Sequence, residues 1–285
     1  MSRELKEAII FIMPLVLFIA SFILIPVLGT FWNSLWLDVP FVARKFVGLQ
    51  SYFRLVSDEQ FWQATLFTTT FALVSVLIEM IFGTIIALVL NERIRMRGLL
   101  RGIALIPWAI PSVIGARVWQ LIYRYDYGIA NWVLQKIGLA SVNWFGSPLG
   151  SFAALVLADV WRTTPFVAII ILAGLQTVRG DVLEQAQVDG ANMFQRFFKI
   201  TMPMIKPIII VALLFRTIDA LRVFDLVYVL TGGGPGGATT SISLYGYKFF
   251  LLGDFGYGST VSVILFILAL VLAVLYIRIG KLRAS

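Results

Sequence analysis

Six stretches of this chain are each long and apolar enough to cross a lipid bilayer, and that leaves few folds open. They cover about residues 8–28, 64–90, 102–122, 151–176, 207–230 and 259–279. A helix needs roughly 20 mostly apolar residues to traverse about 30 Å of hydrocarbon. The stretches are apolar on most faces, as helices surrounded by lipid and by other helices must be, and they lack the two-residue alternation of a membrane β-barrel. The expected fold class is therefore all-α: a polytopic membrane protein of six transmembrane helices forming one domain over 1–285. Composition agrees, with 60% hydrophobic and only 13% charged residues, against about 25% charged in soluble domains. The first stretch could be taken for a cleavable signal. Its apolar run exceeds a signal core, and bulky Phe31 and Trp32 follow Pro26–Gly29 where a cleavage site needs small residues.

The chain has no Cys and no His. Disulfides, thiolate nucleophiles, imidazole bases and zinc motifs are thereby excluded, and no metal site is expected. The chain reads as non-enzymatic. Its formal charge of +8 follows from where Lys and Arg lie. One side of the membrane holds thirteen, among them Arg3, Lys6, Arg93, Arg95, Arg97, Arg101, Arg179, Arg196, Lys199, Lys206, Lys281 and Arg283, and the other holds six. Cytoplasmic connections carry such an excess, so both termini and the connections at 91–101 and 177–206 are expected inside. Scattered over several loops, these charges form no nucleic-acid stripe. The three opposite connections, near 30–63, 123–150 and 231–258, are rich in Trp and Tyr, which favour the lipid headgroup level.

The connection at 177–206 is too long and too patterned for a plain linker. Asp181 to Asp189 reads as a short helix with Asp181 as N-cap and Glu184 completing a capping box. Gly190 supplies a turn, and Ala191–Thr201 reads as a second helix ended by Pro203 and Pro207. The result is a two-helix protrusion with a small-residue surface at Ala186, Gly190 and Ala191, the Glu184 carboxylate beside it, and Arg196 and Lys199 at its edges. Docking of a partner explains that combination better than a hairpin lying on lipid.

Glu184-Gln185-Ala186, Gly190 four residues on, and Ile200-Thr201-Met202-Pro203 resemble the EAA loop of bacterial and archaeal ABC importer permeases. Gln185 and Met202 stand where the family pattern has Ala and Leu. Trp161 to Phe166, Phe215 to Asp225, Thr231-Gly-Gly-Gly-Pro235 and Pro107-Trp108 are similar to the carbohydrate-uptake branch, which includes permeases for maltose, trehalose and glycerol-3-phosphate. The resemblance implies a type I importer permease fold with a cytoplasmic coupling helix in the 177–206 loop, contacting an ATPase through Glu184, Gln185, Ala186, Asp189, Gly190 and Ala191. It also implies a second permease subunit, expected as a heterodimer, two ATPase subunits and an external solute-binding protein. ATP and Mg would belong to the ATPase, since this chain has no GxxxxGK[ST] phosphate loop and is expected to bind no cofactor. Gly232–Gly237 lacks the Lys-Ser/Thr pair and reads as a flexible turn.

Eight charges fall inside the spans: Glu79, Asp159, Asp219 and Asp225, with Arg117, Arg162, Arg216 and Arg222. Each costs about 2.5–3.5 kcal/mol at a helix centre on insertion scales, so most must pair or face water. Asp159–Arg162 and Arg216–Asp219–Arg222–Asp225 repeat at i,i+3, a spacing that lets them pair along one helix. Glu79 and Arg117 are isolated and receive no assignment. Asp159, Trp161, Arg162, Asp219, Arg222 and Asp225 are the pathway or gate candidates, with helix-to-helix support favoured over direct solute contact. Pro107, Pro111 and Pro165 are candidate kinks. Together these features describe an inner-membrane permease passing a disaccharide, oligosaccharide or glycerol-phosphate type solute inward, in a bacterium or archaeon. The rivals are an ion-coupled carrier using the buried carboxylates and a scaffold that carries nothing.

Overall fold

The computed structural model describes residues 3–92 and 95–280, with side chains from Ile10 onward. The side chains of Arg3 and Lys6, and all of Arg93, Lys281 and Arg283, which entered the charge count, lie outside the described residues. Helix α1 (Ile10–Asn33) leads into a two-stranded hairpin, β1 (Trp36–Leu37) paired antiparallel with β2 (Lys45–Phe46). Then come α2 (Gln50–Val56), the long α3 (Glu59–Asn91), α4 (Arg97–Ala109), α5 (Ser112–Ile122), α6 (Ile129–Lys136) and α7 (Pro148–Leu175). The chain finishes with α8 (Gly180–Val188), α9 (Met193–Leu221), α10 (Asp225–Leu230), α11 (Ile242–Leu251) and α12 (Phe255–Gly280). Among the described residues five helices are long and apolar enough to cross a membrane, or six if α4 and α5 count as one span.

That proviso corrects the third expected span. Residues 102–122 are not one straight helix, because the chain turns by 87° between α4 and α5. Ile110 stands before Pro111 and is extended at ψ 128°. The proline ring disfavours a helical residue ahead of it, so the helix stops there. Pro107 and Pro165 sit inside unbroken helices.

The expectation for the second helix of the 177–206 segment also changes. Pro203 and Pro207 do not end it. Met193–Arg196 passes through a π turn at Phe197–Thr201 straight into Met202–Leu221. The Met202 N–H donates five residues back to the Phe197 carbonyl, and that wider turn lets the proline-bearing stretch continue the helix. The capping box lies at the start of α9 and not at Asp181. Asn192 and Gln195 exchange side-chain to backbone bonds of 2.9 and 2.8 Å, while Asp181 sits within the first turn of α8 and pairs with Arg179. Gly190 ends α8 at φ +82°, with Ala191 N–H reaching the Ala186 carbonyl and Gly190 N–H the Gln187 carbonyl. This is a Schellman cap, and its left-handed residue is where glycine is preferred.

The chain forms two compact units. One comprises the chain up to Trp62 with Tyr245–Ile267, and the other Gln63–Leu244 with the chain from Leu268 on. In the second unit α3, α7 and α9 share a core of Ala87, Leu90, Val167, Ile171, Leu172, Leu175 and Ile205. Small residues let these helices approach closely, as membrane helices require. A Cβ on Gly83 would lie 2.6 Å from Val167 Cγ1, and one on Gly174 would lie 3.0 Å from Ile208.

The first unit is tied at Asp58. Its Oδ2 accepts from the hydroxyls of Tyr245 at 2.5 Å and Tyr257 at 3.2 Å, and its Oδ1 caps α3 by accepting from the Gln60 N–H at 2.9 Å. Partial burial alone would raise this carboxyl, but the donated hydrogen bonds prevail and hold it below its ordinary value. A carboxyl lowered on folding stabilises above its unfolded pKa, and that contribution fades as pH falls through the folded value. Amide exchange in α11 should therefore quicken as pH drops below about 4 once intrinsic exchange rates are corrected for. Asp58→Asn should show quicker exchange at neutral pH and lose that acid dependence.

Candidate functional site

Glu79 is the only acid in the long apolar run of α3 and is fully buried. Arg216 of α9 meets it in a two-pronged pair, Nε to Oε2 at 2.5 Å and Nη2 to Oε1 at 2.9 Å. The same guanidinium reaches Asp159 of α7 at 3.1 Å and Asp219, one turn along α9, at 2.6 Å. Thr163 Oγ1 completes the shell, 2.7 Å from Glu79. Three helices thus converge on one cation, whose planar fork can serve several carboxylates at once. Taking such charges out of water is costly, and only this density of charge-assisted bonds offsets it.

The cluster grades from dry to open. Arg216 and Asp159 are almost fully buried, whereas the Asp219 side chain is 43% exposed and that of Arg222 is 69% exposed. Arg222 touches Asp219 loosely at 3.5 Å, and Arg162 lies 3.9 Å from Asp159 with its buried Nε unpartnered. Asp159, Arg162, Asp219 and Arg222 line a cavity of about 380 Å³ together with Trp108, Ser112 and Asp225. A smaller space of about 200 Å³ shares Trp108, Asp219 and Arg222 and is walled by Phe166, Phe215 and Arg216. Trp108 stacks on Phe166 at 5.6 Å. Carboxylates that accept, guanidinium groups that donate and flat aromatic faces suit a solute rich in hydroxyls and C–H surface. Among the described residues no group of three or more Asp, Glu, His or Cys could hold a metal ion.

Of the six pathway candidates, Asp159, Arg162, Asp219, Arg222 and Asp225 border this cavity. Trp161 does not; it packs edge-on against Trp119 at 5.8 Å. Asp225 is also not on the helix of Arg216. Helix α9 ends at Leu221, Arg222–Phe224 break the chain, and Asp225 opens α10, where Ser112 of α5 donates to it at 2.5 Å. The i,i+3 series therefore pairs only as far as Arg222. Glu79, left unassigned by sequence reasoning, is the anchor of the cluster. Its signal was its solitude, since a lone acid in an apolar span needs a partner from another helix. Arg117 pairs with Gln120 at 2.8 Å.

The second region is the α8–α9 turn. Glu184, Gln185, Asp189 and Gly190 are exposed there, while Ala186 and Ala191 are half-buried. Arg196 braces the two helices by donating to Gln187 at 2.9 Å. Beneath lies a cavity of about 440 Å³ bordered by Leu88, Leu175, Leu183, Met193 and Phe197. Gly190 has no heavy atom within 4 Å of where a Cβ would stand, so its constraint is backbone conformation alone.

Known proteins resemble this chain over most of its length. The model of the family described as the binding-protein-dependent transport system inner membrane component matches residues 79–281. The chain is 52% identical over 282 residues to a trehalose/maltose transport system permease protein of Thermococcus litoralis, covering 99% of this chain and 96% of that one. It is 40% identical over 241 residues to a sulfoquinovosyl glycerol transport system permease protein of Agrobacterium fabrum, covering 84% and 78%. A chain from the crystal structure of a bacterial ABC transporter involved in import of the acidic polysaccharide alginate superposes with a TM-score of 0.84 at 25% identity, covering 99% of this chain and 100% of that chain.

Removing the shared cation should be severe. Arg216→Ala should destabilise the solubilised protein by about 3–5 kcal/mol, the cost of stranding buried partners. Arg222→Ala, breaking an exposed pair, should cost less than about 1 kcal/mol. Denaturation of the two variants in the same detergent checks the ordering.

Proposed function

The chain belongs to the family of binding-protein-dependent transport system inner membrane components, and from that premise we propose that it is the sugar-passing permease subunit of an ATP-driven importer. Its partners are a second permease subunit, two ATPase subunits and an external solute-binding protein. It is not itself an enzyme; ATP and Mg belong to the ATPase subunits. Its membrane is the inner membrane of a bacterium or archaeon, with both termini on the cytoplasmic side, and the whole of 1–285 serves as one permease domain. Its cargo is a sugar of the disaccharide, oligosaccharide or glycerol-phosphate type, and the names of its relatives, a trehalose/maltose and a sulfoquinovosyl glycerol permease, support the sugar.

The observation that carries the mechanism is the continuity of α9. A single helix of 29 residues joins the turn at Gly190 to the cavity at Asp219, a reach of roughly 43 Å at about 1.5 Å per residue. In the mechanism, Glu184, Gln185, Ala186, Asp189, Gly190 and Ala191 seat in a cleft of one ATPase subunit. Closure of the ATPases on ATP displaces that seat, and α9 carries the displacement to Asp219 and Arg222, which border the solute path. Arg216 keeps α3, α7 and α9 together as they move, and the exposed Asp219–Arg222 pair exchanges its loose bond for solute hydroxyls.

An ion-coupled carrier would need a carboxylate free to take up and release a proton or sodium ion. Glu79 and Asp159 are each held by Arg216, and Glu79 by Thr163 as well. That arrangement favours the importer.

Gly190→Val places a β-branched residue at φ +82°, a conformation that costs such side chains about 1–3 kcal/mol. The variant should keep its helix content, while ATPase co-purification and sugar uptake fall by roughly fivefold to a hundredfold, the equivalent of that strain. Undiminished co-purification from membranes would contradict the proposed seat.

A further inference from the structure

In the unit that contains α1 and the start of α12, two neighbouring loop tips carry large apolar side chains with nothing over them. At the turn of the β1–β2 hairpin Phe41 is fully exposed and Val42 is 56% exposed. After α11, Leu251 and Leu252 are 64% and 73% exposed, and Phe255 at the start of α12 is 48% exposed. The tips touch each other. A Cβ on Gly253 would lie 2.4 Å from Pro40, and the Phe255 N–H donates to the Asp38 carbonyl at 3.0 Å.

The hairpin is held, and Phe41 is held outward. Its base sits so close to α12 that a Cβ on Gly256 would fall 2.0 Å from the Trp36 carbonyl oxygen. Arg44 lies over the Trp36 ring at 5.0 Å and donates to Asn33 at 2.6 Å. Phe41 itself has φ +65°, an outlier for a bulky residue that persists only where surrounding structure imposes it. Chain position sets the depth. The hairpin begins three residues after α1 ends at Asn33, and Leu252 precedes the first residue of α12 by three. The base of the hairpin and Leu252 therefore lie within about one turn of membrane-crossing helices, and the contact of Pro40 with Gly253 keeps the hairpin tip beside the start of α12, at the level where aromatic rings and cations meet lipid headgroups. Lys45 stands exposed beside the tips, as does Arg44, whose guanidinium also lies 3.7 Å from the Asp38 carboxylate.

We propose that the two tips form an interfacial foot, with Phe41, Leu251, Leu252 and Phe255 at the acyl boundary and Arg44 and Lys45 against lipid phosphates. This goes beyond the transport reading, since it depends only on the chain crossing a bilayer and holds whatever the cargo. The partner is a phospholipid surface because the apolar groups lie at span ends and the adjacent cations complement phosphate.

The chain has no cysteine of its own, so Phe41→Cys and, separately, Leu252→Cys each give one thiol for an environment-sensitive fluorophore. The full chain is reconstituted in vesicles containing anionic phospholipid. At both positions the emission should shift to the blue and be lost to lipids bearing a shallow nitroxide, while aqueous iodide has little effect. Quenching by iodide and not by the nitroxide lipids, at either position, overturns the proposal. Shielding that develops only when the external solute-binding protein is added also overturns it and makes the foot a protein-docking surface.

Discussion

A guanidinium buried among three carboxylates is the constraint on which the second unit of this protein depends. Arg216 can stay charged at 2% exposure only because Glu79, Asp159 and Asp219 come to it from α3, α7 and its own helix. Apolar packing between membrane helices has no hydrophobic drive behind it, since lipid is as apolar as the side chains. Register among these helices therefore needs a directional tie, and the forked pair to Glu79 provides one. The small residues at Gly83 and Gly174 add close contact against Val167 and Ile208. The same cluster opens on its Asp219 side into the cavity, so two of the carboxylates that hold Arg216, Asp159 and Asp219, also line that space.

The other determining feature is that α9 does not stop where its prolines suggest. The π turn at Phe197–Thr201 lets the chain run from the capping box at Asn192 to the cavity without a break. In the proposed mechanism this replaces a hinged relay by one stiff element. The real interruptions lie elsewhere, at Ile110–Pro111 and at Arg222–Phe224, and both adjoin the cavity. Irregular backbone at membrane depth is tolerated where it lines a polar space, and these two breaks fit that rule.

Much of this was legible in the residues. Long apolar runs identified the spans, because nothing else in a chain so poor in charge needs them. The 177–206 segment revealed itself through spacing that a linker would not require, and the resemblance to importer permeases agrees with the family match. Pro111 was legible as a candidate kink, and the chain bends there by 87°, whereas Pro107 and Pro165 leave their helices unbroken. The early end of α9 was hidden, because the apolar run continues past it to Leu230. The role of Glu79 was hidden for a different reason: its partner lies 137 residues away in sequence, and periodicity reports only near neighbours. Asn192 was overlooked as the cap because Asp181 and Glu184 match the same pattern, and Arg179 drew Asp181 into an ion pair instead.

The account turns on whether α9 is stiff between the turn at Gly190 and the cavity. Spin labels at Phe194→Cys and Phe215→Cys, both exposed on α9 on either side of the π turn and its prolines and the only thiols in the chain, report that stretch directly in the assembled transporter. The same distance with and without ATP, while uptake persists, is the expected result. A distance that changes on ATP binding would locate a hinge at the π turn or its prolines and contradict a lever that spans them.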